Sequence, residues 1–243
     1  MADIDNFSND LRRTKINPLV TLPVGDDAPK KINMLVETPM GSINKYEFHT
    51  ATGLLKLDRV LFEKIPYPVE YGAIPQTWDE DNDLLDVMCL ITYPTFPGCL
   101  ISVRPIGVMI FNDSGEKDDK ILAVPVDDIR FKNINSIDDL TDHQKDEITF
   151  FFERYKDLQF KYKGQTDKKV VVEGWEGVEK AYEIIEAANK LFLKTFKNNE
   201  ECECDECCEC DKCDNCKKCD CKDCKCEEGK CDCKDCDCSN KKE

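Results

Sequence analysis

Residues 99–111 read CLISVRPIGVMIF, a stretch of β-branched and other apolar residues punctuated by Pro105 and Gly107. Runs of this composition are typical of β-strands that end at turns. Similar runs stand at residues 32–38 (INMLVET), 44–49 (NKYEFH), 86–93 (DVMCLITY) and 120–126 (KILAVPV). Turn-forming residues lie between them at residues 40–44 (MGSIN) and 112–119 (NDSGEKDD). The sequence therefore predicts that the first part of the chain is rich in β-structure.

The pattern becomes helical after residue 140. Thr141 and Gln144 have the T-x-x-Q spacing of a helix capping box. Apolar residues then recur at helical spacing, so we predict one helix from about residue 142 to 158 and a second from about residue 177 to 196. Strands followed by helices indicate an α+β domain, in which helices pack beside a barrel or a curved sheet.

The charge balance restricts the partners of the chain. Its 243 residues carry a formal net charge of −16, whereas nucleic acids and anionic membranes attract basic surfaces. No apolar run reaches the roughly 20 residues of a membrane-spanning helix, and the N-terminal residues lack the apolar segment of a secretory signal. We therefore expect a cytoplasmic protein that binds neither nucleic acid nor membrane.

The C-terminal part has a different composition. Fifteen of the 17 cysteines lie between Cys202 and Cys238, in C-x-C and C-x-x-C units separated by Asp, Glu and Lys. Residues 201–238 contain no Leu, Ile, Val, Phe, Tyr or Trp, so this segment cannot bury a hydrophobic core of its own. We therefore predict a globular domain at residues 1–198 and a cysteine-rich tail at residues 199–243.

Three aspartates are crowded together at residues 81–86 (DNDLLD). Asp81, Asp83 and Asp86 stand at positions i, i+2 and i+5, and like charges this close need compensation. Carboxylate oxygens in such a cluster suit hard divalent cations such as Mg²⁺ or Mn²⁺. A solvated acidic turn gives the same pattern, so the three aspartates alone leave both interpretations open.

Further groups suited to phosphate chemistry accompany the aspartates. Asp113, Asp118 and Asp119 follow the run at residues 99–111, and Glu37 lies in the run at residues 32–38. Basic and phenolic residues recur near the predicted strands and helices: Lys45, Arg59, Tyr71, Lys120, Tyr155 and Lys156. Phosphoryl chemistry requires carboxylates that hold cations and cationic or phenolic groups that hold an anion. The combination favours a metal-dependent site over a solvated turn.

These motifs resemble those of one enzyme family. Soluble family I inorganic pyrophosphatases share an aspartate motif D-x-D-P-x-D, and this chain has DNDLLD at the corresponding place. Around it stand, in the order of the family, VETP, NKYE, LDR, YPVEYG, VRPIGV, NDSGEKDDKILAVP, FFERYKDL and VVVEGW. The resemblance extends from about residue 17 to about residue 196.

The resemblance implies a fold and a reaction. The expected fold is a distorted OB-like β-barrel with flanking helices and an active site at the mouth of the barrel. The expected reaction is Mg²⁺-dependent hydrolysis of inorganic pyrophosphate to two orthophosphates by a water that bridges two metal ions, with Mn²⁺ as the alternative ion. Compact bacterial and archaeal members are often hexamers, so the resemblance also implies a homo-oligomer.

The resemblance further implies a role for each matched residue. Asp83 matches the group that accepts a proton from the nucleophilic water. The matched metal ligands are Asp81, Asp86, Asp118 and Asp113, and Glu37 matches an acid farther from the ions. The matched substrate-binding groups are Lys45, Arg59, Tyr71, Lys120, Tyr155 and Lys156.

Two positions depart from the family pattern. Leu84 replaces the proline of the aspartate motif, and because proline stiffens a turn by fixing φ, we expect a looser loop here. Ser114 stands where many members have an acid, and we expect this change to weaken a peripheral metal contact. Neither change removes a catalytic side chain.

The tail is best interpreted as a soft-metal site. C-x-C and C-x-x-C pairs place two thiolates on one ion, and Zn²⁺, Cd²⁺ or Cu⁺ favour sulfur. The cysteine density and the lack of aromatic residues resemble a metallothionein. A disulfide scaffold would need an oxidising compartment, and a reduced tail without a role is a further alternative. The candidate ligands are Cys202, Cys204, Cys207, Cys208, Cys210, Cys213, Cys216, Cys219, Cys221, Cys224, Cys226, Cys231, Cys233, Cys236 and Cys238.

Two other functions fit parts of the sequence. A metal-storage or metal-sensing protein could use an inactive pyrophosphatase-like domain as a scaffold, but it would not need the full set of Asp, Lys, Arg and Tyr residues. An OB-type nucleic-acid binder would need a basic face with aromatic residues, and the acidic composition argues against one. We therefore expect a pyrophosphatase that carries a metal-binding C-terminal extension.

Overall fold

The computed structural model describes residues 17–79 and 82–197, together with two short strands near the C-terminus. The chain divides into two compact units, Met1–Lys194 and Thr195–Glu243. Within the second unit, the strands Cys226–Glu227 and Lys230–Cys231 pair antiparallel. Residue 198, where we predict the end of the globular domain, lies outside the described residues, so that boundary stays a prediction.

The described part of the first unit contains nine strands. They are β1 (Ile32–Thr38), β2 (Asn44–His49), β3 (Leu54–Val60), β4 (Glu70–Ala73), β5 (Asp86–Cys89), β6 (Leu100–Asp113), β7 (Glu116–Lys117), β8 (Lys120–Pro125) and β9 (Val170–Glu176). Five of them close a barrel: β1 pairs with β4, β4 with β5, β5 with β8, β8 with β6, and β6 returns to β1. Only the β5–β8 pair among these five is parallel. Closure leaves these strands without an unpaired edge, and the expected OB-like barrel is confirmed.

The long strand β6 connects most of the sheet. Residues 100–103 pair with β1, residues 103–109 with β8 and residues 108–113 with β9. The register with β8 shifts between Pro105 and Gly107. A proline has no N–H for the ladder, so it is tolerated at such an irregularity. The stretch read as a strand from its composition is therefore the one that closes the barrel.

The described residues include four α-helices: α1 (Pro18–Thr21), α2 (Asp142–Arg154), α3 (Asp157–Tyr162) and α4 (Val178–Phe192). The predicted capping box at Thr141 and Gln144 forms at the start of α2. The single helix predicted for residues 142–158 is wrong, because the chain breaks at Tyr155 and Lys156. Glu63 Oε1 accepts the N–H of Leu158 at 2.5 Å and thereby starts a new helix. The second predicted helix is α4, followed by a π-helical turn at Leu193–Lys197.

The strand predicted for residues 86–93 ends early. The N–H of Leu90 still bonds to the carbonyl of Ala123 at 3.0 Å. Beyond it, the Thr92 hydroxyl donates to Asp128 Oδ2 at 2.5 Å, and Pro94 cannot continue a ladder. The strands β3, β4, β7 and β9 lie outside the predicted runs, and β7 falls in the stretch predicted as a turn.

The barrel sheet is buried on both faces. Alternate residues of β8 contribute to two separate apolar clusters: Leu122 lies in the cluster that includes α2, and Ile121 in the cluster that includes α4. A strand covered on both faces is apolar at nearly every position. Polar side chains are therefore found mainly at the ends of strands. The candidate site lies at one end of the barrel. Within the described residues, no helix is both long and apolar enough to cross a membrane.

Candidate active site

A bulge in β1 places Glu37 at the edge of the site. The register of β1 with β4 shifts between Val36 and Thr38, so Glu37 is the extra residue. The Glu37 carboxylate accepts the N–H of Phe48 in β2 at 2.9 Å. Burial, strengthened by the neighbouring Asp86, raises the pKa of Glu37 to about 8.

Three neighbouring strands bring Tyr71, Asp86 and Lys120 together. The Tyr71 phenol donates to Asp86 Oδ2, and Lys120 Nζ donates to the same oxygen at 2.7 Å and to Asp118 Oδ1 at 2.8 Å. Only 1% of the Lys120 side chain is exposed. Its amine therefore contacts the two carboxylates from the protein interior and is shielded from solvent. Burial opposes a charge on Lys120, but Asp118 and Asp86 outweigh it and hold the pKa of Lys120 well above its ordinary value.

The aspartate loop approaches the same place from the start of β5. Asn82 has φ of +66°, a left-handed conformation that asparagine tolerates. The backbone N–H of Leu84 donates to Asp83 Oδ1 at 2.8 Å. A proline at position 84 would lack this donor. The Leu84 side chain is buried against Leu35 and Ala73, so packing and a hydrogen bond restrain the loop where the family has a proline.

A tight turn after β6 holds Asp113. Ser114 and Gly115 have φ of +60° and +101°, as in the two-residue turns that join antiparallel strands. The Ser114 hydroxyl donates to Asp113 Oδ1 at 3.0 Å, and Lys156 Nζ donates to Asp113 Oδ2. Burial opposes the charge of Asp113, but Lys156 outweighs it and lowers the pKa of this carboxyl.

The hairpin formed by β2 and β3 carries the remaining predicted cationic side chains, Lys45 and Arg59. Lys45 lies directly opposite Arg59 in the register of the two strands. Lys45 pairs with Glu47, which is two residues farther along the strand and on the same face. Arg59 pairs with Asp58. Sequence analysis missed Glu47, although its spacing of two from Lys45 was the available signal.

Most of the predicted site residues line one cavity of about 170 Å³. Of the predicted residues, it brings together Glu37, Lys45, Tyr71, Asp83, Asp86, Asp113, Asp118, Tyr155 and Lys156. Its other lining residues are Glu47, Ala73 and Leu84. Arg59 and Lys120 do not line it, and Lys120 reaches the site only through Asp86 and Asp118.

Tyrosine phenols in the lining are kept protonated. Burial raises the pKa of Tyr155. Burial, together with Asp86 and Asp118, raises the pKa of Tyr71 well above its ordinary value. Both phenols therefore keep their protons at neutral pH; Tyr71 donates its proton to Asp86, and Tyr155 can donate to an anion.

The described residues include no group of three or more His, Cys, Asp or Glu side chains placed to hold a metal ion together. The carboxylates of Asp86, Asp118 and Asp113 are instead held by lysine amines. Asp81 and the cysteines of the tail lie outside the residues whose side chains the structure describes, so their predicted roles stay predictions.

Solved structures share this barrel. The chain matches the crystal structure of the inorganic pyrophosphatase from Thermus thermophilus with a TM-score of 0.68 and 41% identity, over 73% of this chain and 99% of that one. It matches the structure of the inorganic pyrophosphatase from Neisseria gonorrhoeae with a TM-score of 0.66 and 36% identity, over 72% of this chain and 98% of that one. The fold is therefore that of inorganic pyrophosphatases, a class of phosphoanhydride hydrolases.

Sequence comparison gives the same family. The model of the inorganic pyrophosphatase family matches residues 34–192. The inorganic pyrophosphatase of Geobacillus stearothermophilus is 46% identical over 157 residues, which are 65% of this chain and 91% of that protein. The chain belongs to the inorganic pyrophosphatase family. The enzyme class expected from the sequence, an inorganic diphosphatase, is thereby confirmed.

Proposed function

We propose that this chain hydrolyses inorganic pyrophosphate to two orthophosphates, with Mg²⁺ ions held by the carboxylates of the cavity. The observation that carries the proposal is the lining, in which six carboxyl groups lie beside two lysine amines and two tyrosine phenols. The ionised carboxylates of this lining would repel pyrophosphate, so cations must be present before the lysines and phenols can hold it. The family relation supports the same reaction.

The cavity is suited to a hard cation. Its charged donors are carboxylate oxygens, and neither histidine nor cysteine is among its described lining residues. We assign Asp86, Asp113 and Asp118 as ligands, with Asp81 from the same loop and Glu37 farther from the ions; Mn²⁺ would suit the same set. Such ions, when bound, lower the pKa of a coordinated water and neutralise phosphate charge.

The protein's own groups supply the base and hold the substrate. Asp83 takes a proton from the attacking water, and the N–H of Leu84 fixes the direction of its carboxylate. Lys45, Tyr71, Tyr155 and Lys156 hold the phosphates from the cavity wall. Arg59 and Lys120 remain proposed phosphate contacts, and Lys120 also holds Asp86 and Asp118 in place.

The raised pKa of Glu37 gives a pH-dependent prediction. With a pKa of about 8, Glu37 is mostly protonated at pH 7, and a bound cation favours its ionised form. Mg²⁺ binding at pH 7 should therefore release protons, and Mg²⁺ affinity should rise as the pH rises through about 8. Titration calorimetry in two buffers of different ionisation enthalpy measures the protons released. Glu37→Gln should release about one proton fewer, and equal release by the two proteins contradicts the assignment.

We propose that the tail is a separate soft-metal site. Its C-x-C and C-x-x-C spacings support thiolate coordination of Zn²⁺, Cd²⁺ or Cu⁺. With four sulfurs per ion, fifteen cysteines hold about three ions, and each thiol releases a proton when it binds.

Replacing all fifteen tail cysteines by serine should abolish this binding. Pyrophosphate hydrolysis should stay nearly unchanged, as it should after deletion of residues 199–243, because the matched family region ends at residue 192. Metal analysis and thiolate-to-metal absorbance under reducing conditions measure the binding. Cys99→Ser, which changes a cysteine outside the tail, is the matched control and should bind soft metal like the parent. Equal soft-metal binding by the serine variant and the parent would contradict the proposal that the tail binds soft metal.

The assembly and location are further proposals. We propose a homo-oligomer, with a hexamer as the expected form, in the cytoplasm. Large apolar side chains on the described surface support association, including Tyr93, Phe96 and Ile129. Sedimentation analysis of the full chain tests it, and a monomer at micromolar concentration would contradict it.

The alternative function is metal storage or sensing on an inactive scaffold. A folded protein that binds soft metal but releases no phosphate from pyrophosphate with Mg²⁺ would favour that alternative. Phosphate release from pyrophosphate, compared with release from ATP at the same Mg²⁺ concentration, tests the proposed substrate. We expect clear preference for pyrophosphate, because the cavity of about 170 Å³ is small.

A further inference from the structure

Two buried threonines, which do not line the cavity themselves, each bind a segment that contributes side chains to it. Thr38 and Thr77 are both 0% exposed, and each hydroxyl donates one hydrogen bond to the backbone and accepts one. Building on the proposed function, we propose that Thr38 is a positioning residue for pyrophosphate binding and that Thr77 is a positioning residue for the metal-binding loop.

Thr38 fixes the strand that carries Lys45. Its Oγ1 accepts the N–H of Tyr46 at 3.0 Å and donates to the carbonyl of Tyr46 at 3.3 Å. Tyr46 lies between Lys45 and Glu47, whose side chains both line the cavity. Because alternate residues of a strand face the same side, holding the Tyr46 backbone sets the direction of Lys45.

The position of Thr38 makes this contact necessary. Thr38 follows the bulge at Glu37, where the regular ladder of β1 is interrupted. Tyr46 lies opposite Leu57 of β3, and the two hydrogen bonds of the Thr38 side chain join its backbone N–H and C=O to β1 as well. They dock the β2–β3 hairpin on the barrel next to its substrate-binding lysine.

Thr77 fixes the loop that leads into Asp86. Its Oγ1 accepts the N–H of Leu85 at 3.0 Å and donates to the carbonyl of Ile74 at 2.6 Å. The N–H of Ile74 also bonds to the carbonyl of Leu85 at 3.0 Å. Leu85 is the residue between Leu84, which restrains Asp83, and Asp86. Thr77 therefore ties the aspartate loop to the chain after β4.

The two threonines form a matched pair for an experiment. Threonine to valine removes the same hydroxyl and leaves two backbone groups unsatisfied at either position. A merely structural role would lower stability at both positions and would not separate the binding of the two ligands. A positioning role predicts that each variant affects a different ligand.

Steady-state hydrolysis separates the two ligands. Pyrophosphate is varied at saturating Mg²⁺, and Mg²⁺ is then varied at saturating pyrophosphate. Thr38→Val should raise KM for pyrophosphate about tenfold while kcat changes by less than about twofold. Thr77→Val should raise the Mg²⁺ concentration for half-maximal activity about tenfold, weaken Mg²⁺ binding measured by titration calorimetry without pyrophosphate by a similar factor, and leave KM for pyrophosphate within about twofold. Thr38→Ser and Thr77→Ser keep the hydroxyl and should restore the parent values.

Several outcomes decide the proposal. The proposal would be overturned if both valine variants changed KM for pyrophosphate and the Mg²⁺ requirement equally. It would also be overturned if neither variant changed either quantity. If a valine variant does not fold, alanine and serine are compared at that position, and the same KM or Mg²⁺ dependence in the two would also overturn it. A parent protein that releases no phosphate removes the proposed function itself, which is a different result from a parent that is active and variants that do not separate.

Discussion

Asp83→Asn is expected to lower kcat for pyrophosphate hydrolysis by roughly 10²-fold or more, the usual size of a lost general base. The change keeps the shape of the side chain and removes its capacity to take a proton. Its amide oxygen can still accept the N–H of Leu84, now 2.8 Å from Asp83 Oδ1, so the loop should keep its form. Initial rates at saturating pyrophosphate and Mg²⁺, with a circular dichroism spectrum to confirm folding, measure the effect.

Asp146→Asn is the matched control for this experiment. Asp146 is exposed on α2 and does not line the cavity, so the same substitution can be made there away from the site. It should retain the parent rate. A folded Asp83→Asn variant with a near-normal kcat would show that Asp83 is not the general base.

Replacing Mg²⁺ by Ca²⁺ is expected to suppress turnover nearly completely. The carboxylates of Asp86, Asp113 and Asp118 offer oxygens that bind either ion. Ca²⁺ has a larger and looser ligand shell, so it should occupy the site without placing water for attack. Phosphate release with Mg²⁺ alone, Ca²⁺ alone and increasing Ca²⁺ against fixed Mg²⁺ measures both binding and turnover.

The competition experiment distinguishes weak binding from unproductive binding. Displacement of Mg²⁺ by Ca²⁺ in a binding titration without pyrophosphate, together with inhibition of the Mg²⁺-supported rate, shows that both ions occupy the same site. Mn²⁺, with a geometry closer to Mg²⁺, should support turnover. Equal rates with Ca²⁺ and Mg²⁺ would show that the cavity does not depend on a compact cation.

The barrel and most of the site were predictable from local sequence features. The composition of residues 99–111 predicts a strand, and β6 covers that stretch. The T-x-x-Q spacing predicts the start of α2, and Thr141 caps it. The ordered motifs place nine predicted residues in one cavity. Each of these features depends on residues that are close in sequence or on a family pattern.

The remainder depends on contacts between distant residues. The break between α2 and α3 follows from Glu63, which accepts the N–H of Leu158 from far along the chain. The burial of Lys120 follows from its position opposite Asp86 in the parallel β5–β8 pair. The restraint of Leu84 follows from a core cluster with Leu35 and Ala73. These three features depend on strand register and on packing between distant residues, so the spacing of residues along the chain does not predict them.

Phosphate release from pyrophosphate by the intact protein, measured with and without Mg²⁺, tests the central claim most directly. Two orthophosphates should appear for each pyrophosphate consumed when Mg²⁺ is present. Removal of the ion with a chelator should stop the reaction, and renewed Mg²⁺ should restore it. A folded protein that releases no phosphate with Mg²⁺, or that releases it equally well without any divalent cation, would contradict the assignment of the cavity as a Mg²⁺-dependent pyrophosphatase site.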